Sequence, residues 1–513
     1  GGTFNLNTGG SIPSGNTLNI TGSGLFNINF GGVLQVAGAT GNGTINIGTG
    51  STLQVSTLAS TVAPTLTGPG NFQYTPASVS LVTLSGNNTF SGGVSGNANA
   101  RYIITTPTAF GTGTVDLSTQ TASSSFSVPT VGFDFGTGGV GTVANDFIIS
   151  GAAIDVFFIA RTSTNQTVTL SGVISGGNPA GRFVWDESGV SQSNVLRLVN
   201  PGNTFTSPIR VDFGTVAITS DGALGNPANG VFLNGGNTTT NGSLRLDAPV
   251  TTNRTITVSG TSAINTNSFD FAVNGVLAGG ATLIKLGIGN LNLNNPANTF
   301  TGTLNINGGR VNVNGNLPTS TSVVSVNAGG VLGGTGNITR NVTVNGGGIV
   351  SPGVSPGVLT INGDVGFGPG SAFEVELNGL TAGTDYDQLF VNGNVTLTGA
   401  ILGGSVGFLP SLGDQFWILV KPTPGPITGT FAGLPEGSFF EMAGIQFQIT
   451  YTANFSTLGG PGTGNDVMLT VTAIPEPATL IAVSTAVVGA GGIWLNKRQR
   501  HTRRLHRRVR RHA

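Results

Sequence analysis

Paired carboxylates are the only side chains here whose type and spacing suggest catalysis. Two carboxylates facing one groove can hydrolyse a glycosidic bond, one as acid and the other as base or nucleophile. The candidate pairs are Asp385 with Asp387, Glu374 with Glu376, Asp186 with Glu187, and Asp134 with Asp146 or Asp155. Glu374 and Glu376, two positions apart on an alternating strand, would project from one face. In that position a solvated outer face is the simpler expectation, and turn capping is the simpler one for Asp385 and Asp387. Arg161, Arg182, Asp186, Glu187 and Arg197 form the one mixed cluster with the composition of a carbohydrate-active site.

Other chemistries are excluded by composition. All three histidines lie among the last 17 residues and cysteine is absent, so the body has no histidine base, His-based triad or thiol nucleophile. The glycines carry no phosphate-loop ending, and the 462–466 run is a lone, poor echo of a calcium repeat at Asp466. The expectation is therefore no catalytic residue, no cofactor and no metal.

The elements that must position these residues are short strands. Charged residues make up 8% of the 513, and glycine accounts for 85. Apolar and polar residues alternate over three to five positions at 17–20, 24–28, 33–36, 44–47 and 52–55, with Gly or Gly-Asn between. The same grammar returns from 283 to 361. Such strands cannot stand alone, and stacking them as coils of a solenoid covers each apolar face with the next. The predicted fold is all-β: a parallel β-helix over 1–370, irregular at about 97–280, then a β region at 371–472 that closes the coil. The middle could also hold irregular coils, bulging loops or a small insert.

Three units repeat on a larger scale: Asn88-Thr89-Phe90-Ser91-Gly92-Gly93, Asn203-Thr204-Phe205-Thr206 and Asn298-Thr299-Phe300-Thr301-Gly302. Each follows a short apolar strand and reads as an Asn-led turn, a buried phenylalanine and a glycine corner. The units resemble the autotransporter-associated β-strand repeat, which implies a right-handed parallel β-helix of a secreted or surface protein. The second unit departs from that pattern, with Ser207-Pro208 where glycines belong. The 386–393 and 465–469 segments resemble the closing region of such passengers.

The last forty residues differ in kind. Pro475-Glu476-Pro477 precedes an uncharged apolar run, 478–495, just long enough to cross a membrane as a helix, and then a basic tail, 497–513. Lys497, Arg498, Arg500, Arg503 and Arg504 flank that run and would stay cytoplasmic, where they could meet anionic lipid headgroups. The tail holds nine of the 20 basic residues; 11 basic and 20 acidic side chains remain in the body, which has no basic face for nucleic acid. This order of elements resembles the PEP-CTERM sorting signal of Gram-negative bacteria. The resemblance implies an exosortase-type processing protease as partner, an initial inner-membrane anchor, and delivery to the cell surface or extracellular matrix. The chain opens inside a repeat-like run, which reads as a processed or truncated start.

The functional expectation is a non-enzymatic structural or adhesin-like protein, touching extracellular polysaccharide or other matrix chains through many weak contacts. The alternative is a polysaccharide lyase or glycoside hydrolase. A whole autotransporter is disfavoured, because no terminal amphipathic barrel pattern follows the body.

Overall fold

In the computed structural model, residues 2–57, 60–120, 130–152, 155–160, 164–187, 193–235 and 242–474 are described. They form a parallel β-coil in which each strand pairs in register with the equivalent strand one turn later. Turn length varies, and side chains that bond from coil to coil are 18 residues apart at the shortest and 30 at the longest in the asparagine ladders.

The alternating sequence explains the coil directly. In Thr44–Ile47 the side chains of Ile45 and Ile47 are buried while Thr44 and Asn46 face outward. Parallel registration then stacks like on like. Leu34, Leu53, Phe72, Val94, Val115, Phe147 and Ile174 form one inner column, each opposite the next. Leu283, Leu304, Val324, Val342, Val365 and Val395 form another. A single apolar cluster runs from Leu6 to Val471. Each such side chain contributes about 1.5–3 kcal/mol when fully buried, and only a stack of coils achieves that burial. Outside, amides bond along the axis: Asn46 to Asn27 and on to Asn5, Asn314 to Asn294 and on to Asn274.

The coil has three faces, and each face breaks once. A four-stranded sheet ends at Thr65–Thr67, a seven-stranded sheet at Ile174–Gly176, and a twelve-stranded sheet at Leu277–Gly279. Sheets of 13, eight and eight strands take over, starting at Val140–Val143, Val250–Thr252 and Asn316–Leu317. Chain order identifies the faces. Thr65–Thr67 and Val140–Val143 each lead into a strand of the same seven-stranded sheet, Asn71–Tyr74 and Phe147–Ile149. The irregular middle is thus a continuation of the coil with two faces still paired, and its apolar strand Asp155–Ala160 is one more coil on Arg182–Glu187.

Parallel pairing continues to Thr428–Thr430. Beyond Gln415–Val420 the direction reverses, and Asp466–Ala473, Ile445–Ala453 and Phe439–Met442 add antiparallel strands to the last face. Trp417, Val420, Ala453 and Met468 form a second small core there. An open parallel edge is thereby paired.

One expectation is overturned. Among the described residues no helix is long and apolar enough to cross a membrane, and the one helical element is the single 3-10 turn Asp221–Leu224. The physical reason is local: glycine and asparagine interrupt the chain so often that even the longest described strand has 9 residues. The expected span, 478–495, lies outside the described residues, as do Pro475, Glu476, Pro477 and the basic residues Lys497, Arg498, Arg500, Arg503 and Arg504. Over the described residues the fold is accordingly an all-β coil without a membrane helix, and they hold nothing that would serve the expected inner-membrane anchoring.

Close coil-to-coil approach is testable at glycine. A Cβ on Gly302 would lie 1.7 Å from the Ala281 carbonyl oxygen, whereas one on Gly366 would meet nothing within 4 Å. Gly302→Ala is expected to lower stability by about 3 kcal/mol or more, and Gly366→Ala to leave it within about 0.5 kcal/mol, measured by urea denaturation. Equal effects would contradict the packing described.

Candidate functional site

The three Asn-Thr-Phe units sit where the three sheets stop. The first follows Thr65–Thr67 by one coil, and its Thr89 and Ser91 N–H groups donate to the Leu66 and Gly68 carbonyls. The Leu66 N–H, left without a strand partner, donates to Asn88 Oδ1 at 2.8 Å. Asn88 Nδ2 in turn donates to the Ala109 carbonyl on the next coil. Asn203 repeats this between the Ile174 N–H (2.8 Å) and the Ala223 carbonyl (2.9 Å). Asn298 accepts from the Leu277 N–H, but its Nδ2 has no partner. Each asparagine is buried, so the bond bridges coils and does not merely close its own turn. Phe90, Phe205 and Phe300 fill the core where a strand residue would point, and Phe205 stacks on Phe183 at 5.3 Å.

The glycines answer to neighbouring coils. A Cβ on Gly92 would lie 2.3 Å from the Gly70 carbonyl oxygen, and Gly93 has φ +129°. In the second unit Ser207 replaces the glycine, and the vacancy moves to the coil before it. Gly177, at φ +91°, makes room for Ser207 Oγ, which accepts from the Asn178 N–H.

A further set of residues completes these corners and was not identified from sequence. Ala109-Phe110-Gly111 and Ala223-Leu224-Gly225 recur one coil after the first two units and receive the asparagine amides. A Cβ on Gly111 or Gly225 would lie 2.3 or 2.5 Å from the carbonyl of Phe90 or Phe205. That recurrence was available as a signal. The third unit has no such tripeptide, and buried Arg340 serves instead, donating to the carbonyls of Phe300, Gly302 and Pro318 with its guanidinium 5.8 Å from the Phe300 ring. Arg254, Lys285 and Lys421 likewise collect backbone carbonyls, three or more each.

Most candidate acids have comparable structural roles. Asp385 accepts from the Thr381 N–H, and Asp387 bridges the Gly357 and Glu376 N–H groups while burial pushes its carboxyl up to about 6. Glu374 is exposed, and Glu376 beside it on the outer face accepts from the Ser355 hydroxyl. Asp146 accepts from the Val173 N–H. Asp134 and Asp155 lie at opposite ends of their strands, so these three do not converge. Asp466 is a further backbone anchor, its two oxygens accepting from the Lys421 and Phe455 N–H groups. Among the described residues no group of three His, Cys, Asp or Glu is placed to hold a metal.

The mixed cluster is partly assembled. Arg197 is elsewhere, paired with Asp247 at 2.7 Å beside Arg245, and Arg161 lies outside the described residues. Arg182, Asp186 and Glu187 share one strand on the twelve-stranded sheet, and the next coil brings Arg210 and Asp212 alongside. Sequence spacing gave no sign of that pair, because coil length fixes which residues become neighbours. Asp186 Oδ1 accepts from the Glu187 N–H and Glu187 Oε1 from the Asn194 N–H. The second oxygens of Asp186, Glu187 and Asp212 are buried without a partner. Burial pushes Asp186 up to about 7, helped by Asp212, and Glu187 up to about 8, helped by Asp186. Asp186 meets Asp212 on the next coil and Glu187 follows it on the strand, but all three are buried, and a glycosidic oxygen does not reach them.

No protein-family model matches the chain. Over 331 residues, 64% of its length, it is 24% identical to the adhesin BmaC autotransporter of Brucella suis biovar 1 (strain 1330). The match covers 8% of that protein, so the chain spans less than a tenth of this relative. The continuous β-coil and this likeness agree with a structural or adhesin-like protein.

Two outcomes follow from the geometry. Asn203→Ala strands a buried donor and a buried acceptor and is expected to cost about 3 kcal/mol; Asn298→Ala strands only the donor and is expected to cost about half that, by denaturant titration. Asp186 and Glu187 favour protons in the folded state, so their contribution is full below the unfolded values near pH 4 and is lost as pH rises through about 7 and 8. The double variant Asp186→Asn, Glu187→Gln is expected to flatten the fall in thermal midpoint between about pH 5 and 9, with a gain of a few kcal/mol at the upper end. An unchanged slope would refute the assignment.

Proposed function

We propose that the chain is a non-enzymatic rod of the cell surface or extracellular matrix with an adhesin-like role. The observation that carries this reading is the likeness to an adhesin across most of a continuous coil, joined to candidate acids most of which are buried or tied to backbone N–H groups. A long stack presents the same outward amide and hydroxyl pattern many times, and weak contacts repeated along a rigid rod sum to avid attachment. Extracellular polysaccharide or other matrix chains are the partners such a surface suits. The order of Pro475-Glu476-Pro477, the apolar run and the basic tail is what supports sorting by an exosortase-type processing protease.

The enzyme alternative rests on Asp186, Glu187 and Asp212, and their enclosure argues against it. The test is to incubate the full chain with a panel of bacterial and plant polysaccharides, following both retention on the polymer and release of new reducing ends or unsaturated products. Retention without release is expected. Release that Asp186→Asn abolishes would establish the enzyme instead.

A further inference from the structure

The outer surface of the twelve-stranded sheet carries a cavity of about 200 Å3 lined by Arg182, Arg210, Phe232, Asn234 and Ser259. These residues come from four consecutive coils. Parallel register puts Val184, Arg210, Phe232 and Thr257 in one outward row, with Arg182 on one side and Asn234 and Ser259 on the other. A hydrogen-bond chain fixes the polar edge: Ser259 Oγ donates to Asn234 Oδ1 (3.0 Å), Asn234 Nδ2 donates to Asp212 Oδ1 (2.8 Å), and Arg210 Nε donates to the same oxygen. Phe232 supplies an apolar wall, with the Arg182 guanidinium 5.9 Å from its ring centre.

Arg182 is the unusual member. The other basic side chains among the described residues are engaged by carbonyls, carboxylates or asparagine amides. Arg182 is exposed, and neither an acid nor a carbonyl among the described residues pairs with it. The nearest acid, Asp155, stands in register with Arg182 on the preceding coil without forming an ion pair with it, and Asp212 on the following coil is already paired with Arg210.

We propose that this cavity binds a single uronate unit of an acidic polysaccharide, which deepens the adhesive reading and rests on it. Arg182, with the outer edge of Arg210, takes the carboxylate; Phe232 faces the C–H surface of the sugar ring; Asn234 and Ser259 meet its hydroxyls. The volume is below that of sites for drug-sized ligands and suits one ring. An inorganic anion would leave the apolar wall and the amide–hydroxyl edge unused. The cavity opens outward on a rod, so a polymer can pass across it with its neighbouring units in solvent.

The test is calorimetry of the full chain with a tetragalacturonate and with the same oligosaccharide carboxyl-reduced to neutral galactose units. Tetragalacturonate is expected to bind at least tenfold more tightly than the reduced form. Arg182→Gln is expected to lose at least tenfold at an unchanged thermal midpoint, and Arg182→Lys to recover part of the loss. No binding of tetragalacturonate, equal binding of the two sugars, or undiminished binding by Arg182→Gln would overturn the proposal. Polymer retention in the polysaccharide panel, persisting in any of those cases, would leave the adhesive reading intact and locate the fault in this site.

Discussion

Coil-to-coil hydrogen bonding is the constraint on which the rest of the structure depends. In a parallel stack every backbone N–H and C=O that does not reach water must find its partner one turn above or below. While a strand follows a strand, the ladder meets that need. Where a strand is replaced by a corner, the orphaned groups must be satisfied by side chains. Asn88, Asn203 and Asn298 supply an acceptor for the last N–H of each sheet. Arg254, Arg340, Lys285 and Lys421 each gather several backbone carbonyls at the bends.

The breaks are staggered. They occur at 88, 203 and 298, on three different faces, so at each level two sheets continue unbroken past the corner. The apolar columns are therefore never interrupted all round, and the stack remains a single core from Leu6 to Val471. A rod of this kind holds its outward rows at fixed spacing, which a multivalent surface requires. The same fixed register gathers Arg182, Arg210, Phe232 and Asn234, from separate coils, around one cavity.

Period-two alternation with glycine breaks made the coil legible in the sequence, because inward and outward positions in a strand differ in hydrophobicity and nothing else is needed to read them. The Asn-Thr-Phe units were visible as well, yet the role of their asparagines was not. Asn88 bonds to a residue 22 positions back, and only the length of the coil makes that residue a neighbour. The same reason hid the meeting of Asp186 with Asp212 and of Arg340 with Phe300. Asp385 and Asp387, for which turn capping is the simpler reading of the sequence, accept from the N–H groups of Thr381, Gly357 and Glu376. The apolar stretch at 478–495 reads as a membrane helix from its length, its lack of charge and the basic cluster that follows; it lies outside the described residues, which contain no such helix.

Residue-resolved hydrogen exchange on the unmodified chain tests the central claim most directly. The amides of Leu66, Ile174 and Leu277 each belong to the last strand of a sheet, yet each donates to a buried asparagine. They are expected to exchange as slowly as Leu53, which lies mid-sheet. Exchange as fast as that of the outermost strand, Thr3–Asn7, would contradict the account.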